Sequence, residues 1–266
     1  MPGMTGNADP HFLRTTFDDS PELYDRSRAV PPQSLFDDLI TLARLEPGAR
    51  LVEVGCGTGQ ATLALAERGY EIVGVELGES LASFTRRKLT PFPRVTIVTS
   101  SFEEWNPTGE LFDAVVAFNS FHWIDPELRY AKTAEVLREG GALAVVGMRF
   151  VVHDEADPVW MALQDDYEAV AGLPEPRIHT DAVKDRSAEF ETSGYFRNVS
   201  VRQYRWDITF GADDYIALLS TSSWHRRLGD AVRRTLFERI HRRINARAEQ
   251  TIAPTMAAVL YVAERV

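Results

Sequence analysis

The chain has 266 residues, of which 44% are hydrophobic, and carries a formal net charge of -10. This length suffices for one large α/β domain or for a domain that carries a cap. An acidic chain is repelled by the phosphate backbone that dominates nucleic-acid affinity, which disfavours nucleic-acid binding. Its longest apolar runs are too short to span a bilayer, and a single cysteine excludes an intramolecular disulfide. We therefore expect a cytoplasmic protein without a signal peptide that binds neither nucleic acid nor membrane, as a monomer or a homodimer.

The first sixteen residues have the composition of a disordered tail, and residues 17–266 are expected to form a single domain. Within that domain, a core of about residues 31–150 is predicted to carry helical cap insertions at about 154–190 and 210–250. Before the core, Tyr24 and Arg28 are one helical turn apart and could face one site. A helix is predicted after Pro31 and Pro32, since apolar residues then recur at helical spacing as far as Gly48.

The most informative stretch is residues 50–60, where an apolar strand runs into glycines at alternate positions: Gly55, Gly57 and Gly59. Glycine allows positive φ and close approach of a ligand, and the following helix offers unpaired N–H groups. Dinucleotide-binding folds use the spacing G-x-G-x-x-G, and their third glycine allows close helix–strand packing. Gln60 stands at that third position here, which disfavours a dinucleotide.

The Glu-x-Gly-x-Gly-x-Gly pattern resembles motif I of the class I S-adenosylmethionine-dependent methyltransferases. This resemblance implies an α/β fold: a Rossmann-like, doubly wound, mostly parallel seven-stranded sheet with an antiparallel last strand and helical cap insertions. It also implies that the loop wraps the methionine half of the cofactor, with contacts from Glu53, Gly55, Cys56, Gly57 and Gly59.

The next strand ends in Glu76, about twenty residues past the first glycine, where nucleotide folds place a carboxylate that accepts from ribose hydroxyls. Its neighbour Leu77 is included in the expected cofactor site. By the resemblance, the turn after the third strand holds the adenine, but Ser101 stands where the family often has aspartate. Ser101 can still accept a hydrogen bond, and the backbone N–H of Phe102 could meet a ring nitrogen. The resemblance adds three further cofactor contacts: Tyr24, Arg28 and Asn119.

The fourth strand, residues 112–118, leads into Phe-His-Trp-Ile-Asp-Pro, followed by a helix expected to stop at Gly140 and Gly141 and by a fifth strand at 142–146. These motifs resemble bacterial small-molecule methyltransferases, among them the trans-aconitate methyltransferase-like proteins. Ligands enter such sheets at the carboxyl ends of the strands, so His122 and Trp123 are expected to contact the substrate. His122 is either a general base or a structural residue, and both interpretations stay open.

The second half of the chain is expected to supply the acceptor pocket, with Trp224 and Arg226 as substrate contacts. Eight arginines occur between residues 226 and 247 against two acidic residues, either as a solvated helix face or as partners for an acceptor carboxylate or phosphate. Zinc-type ligand spacing is absent from the sequence, so no metal site is predicted.

The sequence thus predicts a methyltransferase that uses S-adenosylmethionine, yields S-adenosylhomocysteine and acts on a small-molecule acceptor. O-methylation of a carboxylate or hydroxyl is favoured over N- or C-methylation. Two alternatives remain open: an NAD-dependent oxidoreductase, which Gln60 disfavours, and a non-catalytic methyltransferase-like binding protein.

Overall fold

The computed structural model describes residues 21–109, 111–172, 178–179 and 185–266. The predicted tail over residues 1–16, and part of the predicted cap insertion 154–190, lie outside these ranges. By contacts between residues the chain divides into two compact units. Unit A comprises residues 1–29, 149–183 and 205–257, and unit B comprises residues 30–148, 184–204 and 258–266.

The helices are short to medium in length and alternate with the strands in the first half of the chain. The helices are α1 Pro21–Ser27, α2 Gln33–Leu42, α3 Gln60–Ala66, α4 Glu79–Lys88, α5 Arg129–Val136, α6 Pro158–Ala171, α7 Ser187–Thr192, α8 Ala212–Ser220, α9 Ser223–Arg226 and α10 Asp230–Asn245. The strands are β1 Arg50–Val54, β2 Glu71–Glu76, β3 Val95–Thr99, β4 Phe112–Phe118, β5 Leu137–Val152, β6 Ile178–His179, β7 Phe196–Asp207, β8 Phe210–Gly211, β9 Thr251–Ile252 and β10 Thr255–Arg265.

The main sheet has the strand order β3-β2-β1-β4-β5-β10-β7. Strands β1 to β5 pair in parallel, with Leu51 opposite Ile72 on one side and opposite Ala114 on the other. β1 and β4 are almost wholly buried, as is typical of parallel strands covered on both faces. The predicted Rossmann-like α/β fold with a mostly parallel seven-stranded sheet is confirmed, and the two-residue β6 adds to it by pairing with β5.

One boundary differs from the prediction. The helix expected to end at Gly140 stops at Val136, and β5 begins at once, with Leu137 opposite Phe112. The register then shifts, so that Ala142 stands opposite Ala114. Gly140, at a φ of 67°, lies in the part of β5 where the register shifts and does not end a helix.

Unit A is built mainly from helices around its own hydrophobic core. The core combines residues of α6, α8 and α10, with Trp160, Tyr167, Tyr215, Leu236 and Ile240 among its most buried members. Ion pairs join α6 to α10: Arg243 contacts the buried Asp166 through two nitrogens, at 2.5 and 3.1 Å. Among the residues the structure describes, no helix is both long enough and apolar enough to cross a membrane.

Candidate functional site

The order of the sheet in unit B reverses between β1 and β4, because β2 and β3 lie on one side of β1 and β5 lies beyond β4. In open α/β sheets, ligands bind at such a switch point, outside the carboxyl ends of the strands. The loops after β1, β2, β3 and β4 all leave the sheet at this edge. The structure therefore brings together the predicted site residues that follow those four strands.

The glycine loop has the backbone conformation that its composition predicts. Gly55, Gly57 and Gly59 have φ values of 64°, 56° and 77°, in the left-handed region that favours glycine. Gly59 precedes α3, so Gln60 is the first residue of that helix. A Cβ atom on Gly59 would stand 2.7 Å from Cγ2 of Thr85 on α4. Close helix packing in this chain therefore requires glycine at position 59.

The Glu76 carboxylate is tied to the glycine loop. Its Oε2 accepts a hydrogen bond from the N–H of Gly57 at 2.8 Å, and its Oε1 accepts one from the N–H of Gly78 at 2.9 Å. The side chain is largely buried, with 8% of the residue exposed. Each carboxylate oxygen can accept more than one hydrogen bond, so this carboxylate can also accept from ribose hydroxyls. Leu77 follows with 38% of its surface exposed, an apolar side chain available to a ligand.

Glu53 and Cys56, two residues of the glycine-loop motif, are both buried. Glu53 is 2% exposed, and its Oε2 accepts a hydrogen bond from the hydroxyl of Thr62 at 2.6 Å. Burial raises the pKa of the Glu53 carboxyl to about 8; the Thr62 hydrogen bond opposes this rise and the charge of Glu76 adds to it. Cys56 packs in an apolar cluster with Ala82, and burial raises the pKa of its thiol.

The turn after β3 is internally bonded. The hydroxyl of Ser101 accepts from the N–H of Glu104 and lies 3.2 Å from the carboxylate of the same residue. Phe102 is buried and stacks on Trp105 with ring centroids 6.2 Å apart. Because the Phe102 ring belongs to the core, only its backbone remains for the predicted contact with an adenine.

The loop after β4 presents His122 to solvent. A short 3-10 turn spans Phe121–Trp123, with Phe121 buried and His122 exposed. The rings of His122 and Trp123 lie 4.7 Å apart. Asn119, which precedes this turn, has a φ of 54° and accepts a hydrogen bond at Oδ1 from the N–H of Met148, at 2.6 Å.

Four further predicted residues lie in unit A. Arg28 stacks on Tyr24, with its guanidinium 4.6 Å from the ring centroid, and donates to the backbone oxygen of Thr221 at 2.9 Å. Trp224 packs edge-on against Tyr167 at 5.6 Å, and Arg226 donates from Nε to the backbone oxygen of Ser220 at 3.0 Å. These contacts gather Tyr24, Arg28, Trp224 and Arg226 around the end of α8.

The arginine-rich segment is largely engaged within unit A. Arg243 and Arg239 lie near Asp166, Arg247 donates to Asp157, and Arg233 pairs with Asp230. Several arginines of the segment 226–247 therefore form ion pairs within the protein, which accounts for part of its excess of positive charge.

Sequence reasoning missed two groups of residues. Thr62, the partner of Glu53, and Ser120, which packs on the glycine loop, carry no motif signal of their own. In unit A, the wholly buried His225 shares a hydrogen bond of 2.8 Å with the Tyr167 hydroxyl, and burial lowers the pKa of His225 to about 3. His225 lies in the sequence between Trp224 and Arg226, two predicted substrate contacts, and this position could have drawn attention to it.

Residues 51–141 match the methyltransferase domain family, and the match spans the glycine loop, Glu76 and the loop after β4. Over these residues the chain is similar to a methyltransferase domain, in agreement with the family predicted from the glycine loop. An uncharacterized methyltransferase of Mycobacterium tuberculosis is 32% identical over 123 residues, which cover 46% of this chain and 48% of the relative. The chain thus spans about half of the length of that relative.

Two further comparisons agree with the methyltransferase domain. A trans-aconitate 2-methyltransferase of Afipia carboxidovorans is 28% identical over 178 residues, covering 60% of this chain and 64% of that protein. Among solved structures, the phosphoethanolamine N-methyltransferase 2 of Haemonchus contortus, in complex with S-adenosyl-L-methionine, matches with a TM-score of 0.56. It is 14% identical and covers 97% of this chain and 60% of that one, so it supports the fold alone.

Within the described ranges, no group of three or more His, Cys, Asp and Glu side chains is placed to hold a metal ion.

Proposed function

We propose that this protein transfers the methyl group of S-adenosylmethionine to a small-molecule acceptor, with O-methylation of a carboxylate or hydroxyl favoured. The observation that carries the proposal is the Glu76 carboxylate, held 2.8 Å from the N–H of Gly57 beside the glycine loop. A buried carboxylate in this place suits the two vicinal hydroxyls of a ribose. The start of α3 at Gln60 fits the same proposal, because the dinucleotide spacing is absent.

The cofactor, when bound, supplies a methyl group on a sulfonium that is already a good leaving group. We infer that the glycine loop and Glu76 hold it, together with Leu77 and the backbone of the turn at Ser101 and Phe102. Alignment of an acceptor can lower the barrier by about 7–11 kcal/mol. When bound, the cofactor would supply its methyl carbon to the acceptor oxygen, and its sulfur would keep the electron pair of the broken carbon–sulfur bond. The chain therefore has to orient the acceptor and exclude water.

The role of His122 depends on the acceptor. A hydroxyl must lose its proton, and the exposed imidazole of His122, on the turn after β4, is the proposed base. A carboxylate acceptor is already ionised at neutral pH and needs no base. Tyr24, Arg28, Trp224 and Arg226 remain proposed ligand contacts, and the trans-aconitate methyltransferase relative supports a carboxylate-bearing acceptor.

Calorimetry with S-adenosylmethionine, S-adenosylhomocysteine and NAD tests the proposed cofactor. We expect binding of the first two at about micromolar affinity, near -8 kcal/mol, and none of NAD. In a Gly57→Arg variant, whose fold is checked by circular dichroism, the new side chain enters the loop and should abolish binding. Binding of NAD alone would overturn the proposal. Cofactor binding without turnover on any acceptor class would instead support a non-catalytic binding protein.

The variant His122→Ala separates the two kinds of acceptor. With a phenolic acceptor we expect the rate to fall by about 10²–10⁴-fold, because a general base is lost. With trans-aconitate, a carboxylate acceptor, the rate should stay close to that of the unmodified protein. Formation of S-adenosylhomocysteine is measured, and His241→Ala on α10 serves as the matched control. An equal loss with both acceptors would show that His122 acts on something other than the acceptor's proton.

A further inference from the structure

The segment between β4 and the turn that carries His122 consists of two residues, Asn119 and Ser120, and each is tied to a different neighbour. Asn119 continues the β4–β5 pairing, because its N–H donates to the oxygen of Val146 at 2.8 Å. The Asn119 side chain adds a second hydrogen bond to β5, because its Oδ1 accepts from the N–H of Met148 at 2.6 Å. Asparagine tolerates the left-handed region better than most residues, which suits the φ of 54° here.

Ser120 ties the same segment to the glycine loop. Its hydroxyl donates to the backbone oxygen of Val54, and only 8% of the residue is exposed. A Cβ atom on Gly55 would stand 2.7 Å from the Cβ of Ser120, which is too close for two carbon atoms. Ser120 can therefore pack here only because residue 55 has no side chain. Gly55 is thus required by packing on Ser120 as well as by its positive φ.

The turn that carries His122 follows directly from these anchors. The N–H of Trp123 donates to the oxygen of Ser120 at 2.9 Å. Phe121 is buried and packs edge-on against Tyr130, with ring centroids 5.4 Å apart. His122 is therefore exposed on a turn whose beginning is fixed on β5 and on the glycine loop.

We propose that Asn119 and Ser120 are positioning residues that fix the turn carrying His122 relative to the glycine loop, and through it relative to the methyl donor. This inference rests on the proposed function. The Asn119 side chain, which the sequence predicts to contact the cofactor, accepts a hydrogen bond at Oδ1 from the N–H of Met148. A displacement of about 1 Å between reacting groups can cost about 100-fold in rate. Fixing the turn to the glycine loop prevents such a displacement.

The variant Asn119→Gly tests this role, because glycine keeps the left-handed backbone and removes only the side-chain bond to Met148. Asn119→Asp is the rescue variant, since its carboxylate can accept the same hydrogen bond and aspartate tolerates the same φ. Ser120→Ala keeps the packing on Gly55 and removes the hydroxyl. We expect methyl transfer to a phenolic acceptor, which needs His122 as its base, to fall about 100-fold in Asn119→Gly and Ser120→Ala, and to return in Asn119→Asp.

Two further measurements separate positioning from cofactor binding. The Kd for S-adenosylhomocysteine should stay within about threefold of the unmodified protein, a difference below 1 kcal/mol. In histidine NMR spectra, where His122→Gln assigns the resonance, the His122 signal should broaden in Asn119→Gly and sharpen again in Asn119→Asp. A loss of affinity parallel to the loss of rate, or an unchanged His122 signal and rate, would overturn the proposal.

The outcomes also separate this inference from the proposed function. If the unmodified protein transfers no methyl group to a phenolic acceptor, the change of the His122 signal on adding S-adenosylhomocysteine is the deciding measurement, because the positioning role predicts a smaller change in Asn119→Gly. If S-adenosylhomocysteine does not bind at all, the proposed function fails. The width of the His122 signal in the ligand-free protein then still supports or overturns the positioning role.

Discussion

The Glu76→Ala variant is expected to lose about 100-fold in affinity for S-adenosylhomocysteine. Glu76 receives hydrogen bonds from the N–H groups of Gly57 and Gly78, at 2.8 and 2.9 Å, so it holds the glycine loop as well as the proposed ribose. A hydrogen bond to a charged group contributes about 1.5–3 kcal/mol, and a loss of about 3 kcal/mol corresponds to about 100-fold. Calorimetry on the two proteins measures the difference.

The variant Glu76→Gln should have an intermediate effect. Its amide oxygen can still accept one of the two backbone N–H groups, but its NH₂ group then faces the other N–H as a second donor. We expect about a tenfold loss of affinity for S-adenosylhomocysteine, because one charge-assisted hydrogen bond is replaced by a repulsive contact. The graded order Glu, Gln, Ala would show that acceptor capacity, rather than side-chain volume, is what the site uses.

The matched control is Glu71→Ala at the other end of the same strand. Glu71 pairs with Arg50 at 2.9 Å with 41% of its side chain exposed, so its loss should leave cofactor affinity unchanged. Urea unfolding of each variant shows whether a loss of affinity reflects a loss of folded protein. An affinity in Glu76→Ala close to that of the unmodified protein would contradict the assignment of this carboxylate to the ribose.

The glycine loop and the β2 carboxylate could be predicted from the sequence because both depend on local spacing. A strand followed by glycines at alternate positions forces a particular backbone, and the parallel pairing of β1 with β2 brings Glu76 to the same edge. His122 could be placed at that edge for the same reason. The roles of these residues toward ligands stay predictions, since they depend on bound molecules.

The contacts that join distant parts of the chain could not be predicted in this way. The packing of Ser120 on Gly55 joins residues sixty-five positions apart, by the numbering of the chain, and depends on how closely β1 and β4 approach. Glu53 belongs to the glycine motif, but the spacing of that motif does not reveal the hydrogen bond that its carboxyl accepts from Thr62. The start of β5 at Leu137 was missed because the glycine pair there resembles a helix end, and only pairing with Phe112 extends the strand.

The Glu53 carboxyl is expected to make the folded protein less stable as the pH rises. Its pKa is about 8 in the folded protein against an ordinary value of 4.5. Between these values the unfolded chain has already lost the proton that the folded protein keeps, so the folded protein binds more protons and the free energy of unfolding falls with rising pH. The fall is about 1.4 kcal/mol per pH unit, and it levels off above pH 8.

The variant Glu53→Gln should remove this dependence. Glutamine can still accept the hydrogen bond from Thr62, at a position that is 2% exposed, but it has no proton to lose. Relative to the unmodified protein, its free energy of unfolding should rise by about 2 kcal/mol between pH 6 and pH 8. The neighbouring groups that also act on this carboxyl, Glu76 and Thr62, are unchanged by the substitution.

Urea unfolding at pH 6, 7 and 8 measures the difference, with Glu67→Gln, an exposed carboxylate just after α3, as the control. The control should follow the pH dependence of the unmodified protein. A constant difference between Glu53→Gln and the unmodified protein over this range would show that Glu53 is already ionised in the folded state. The Glu53 carboxyl would then be negatively charged beside the Glu76 carboxylate, and the folded structure would have to withstand the repulsion between the two charges.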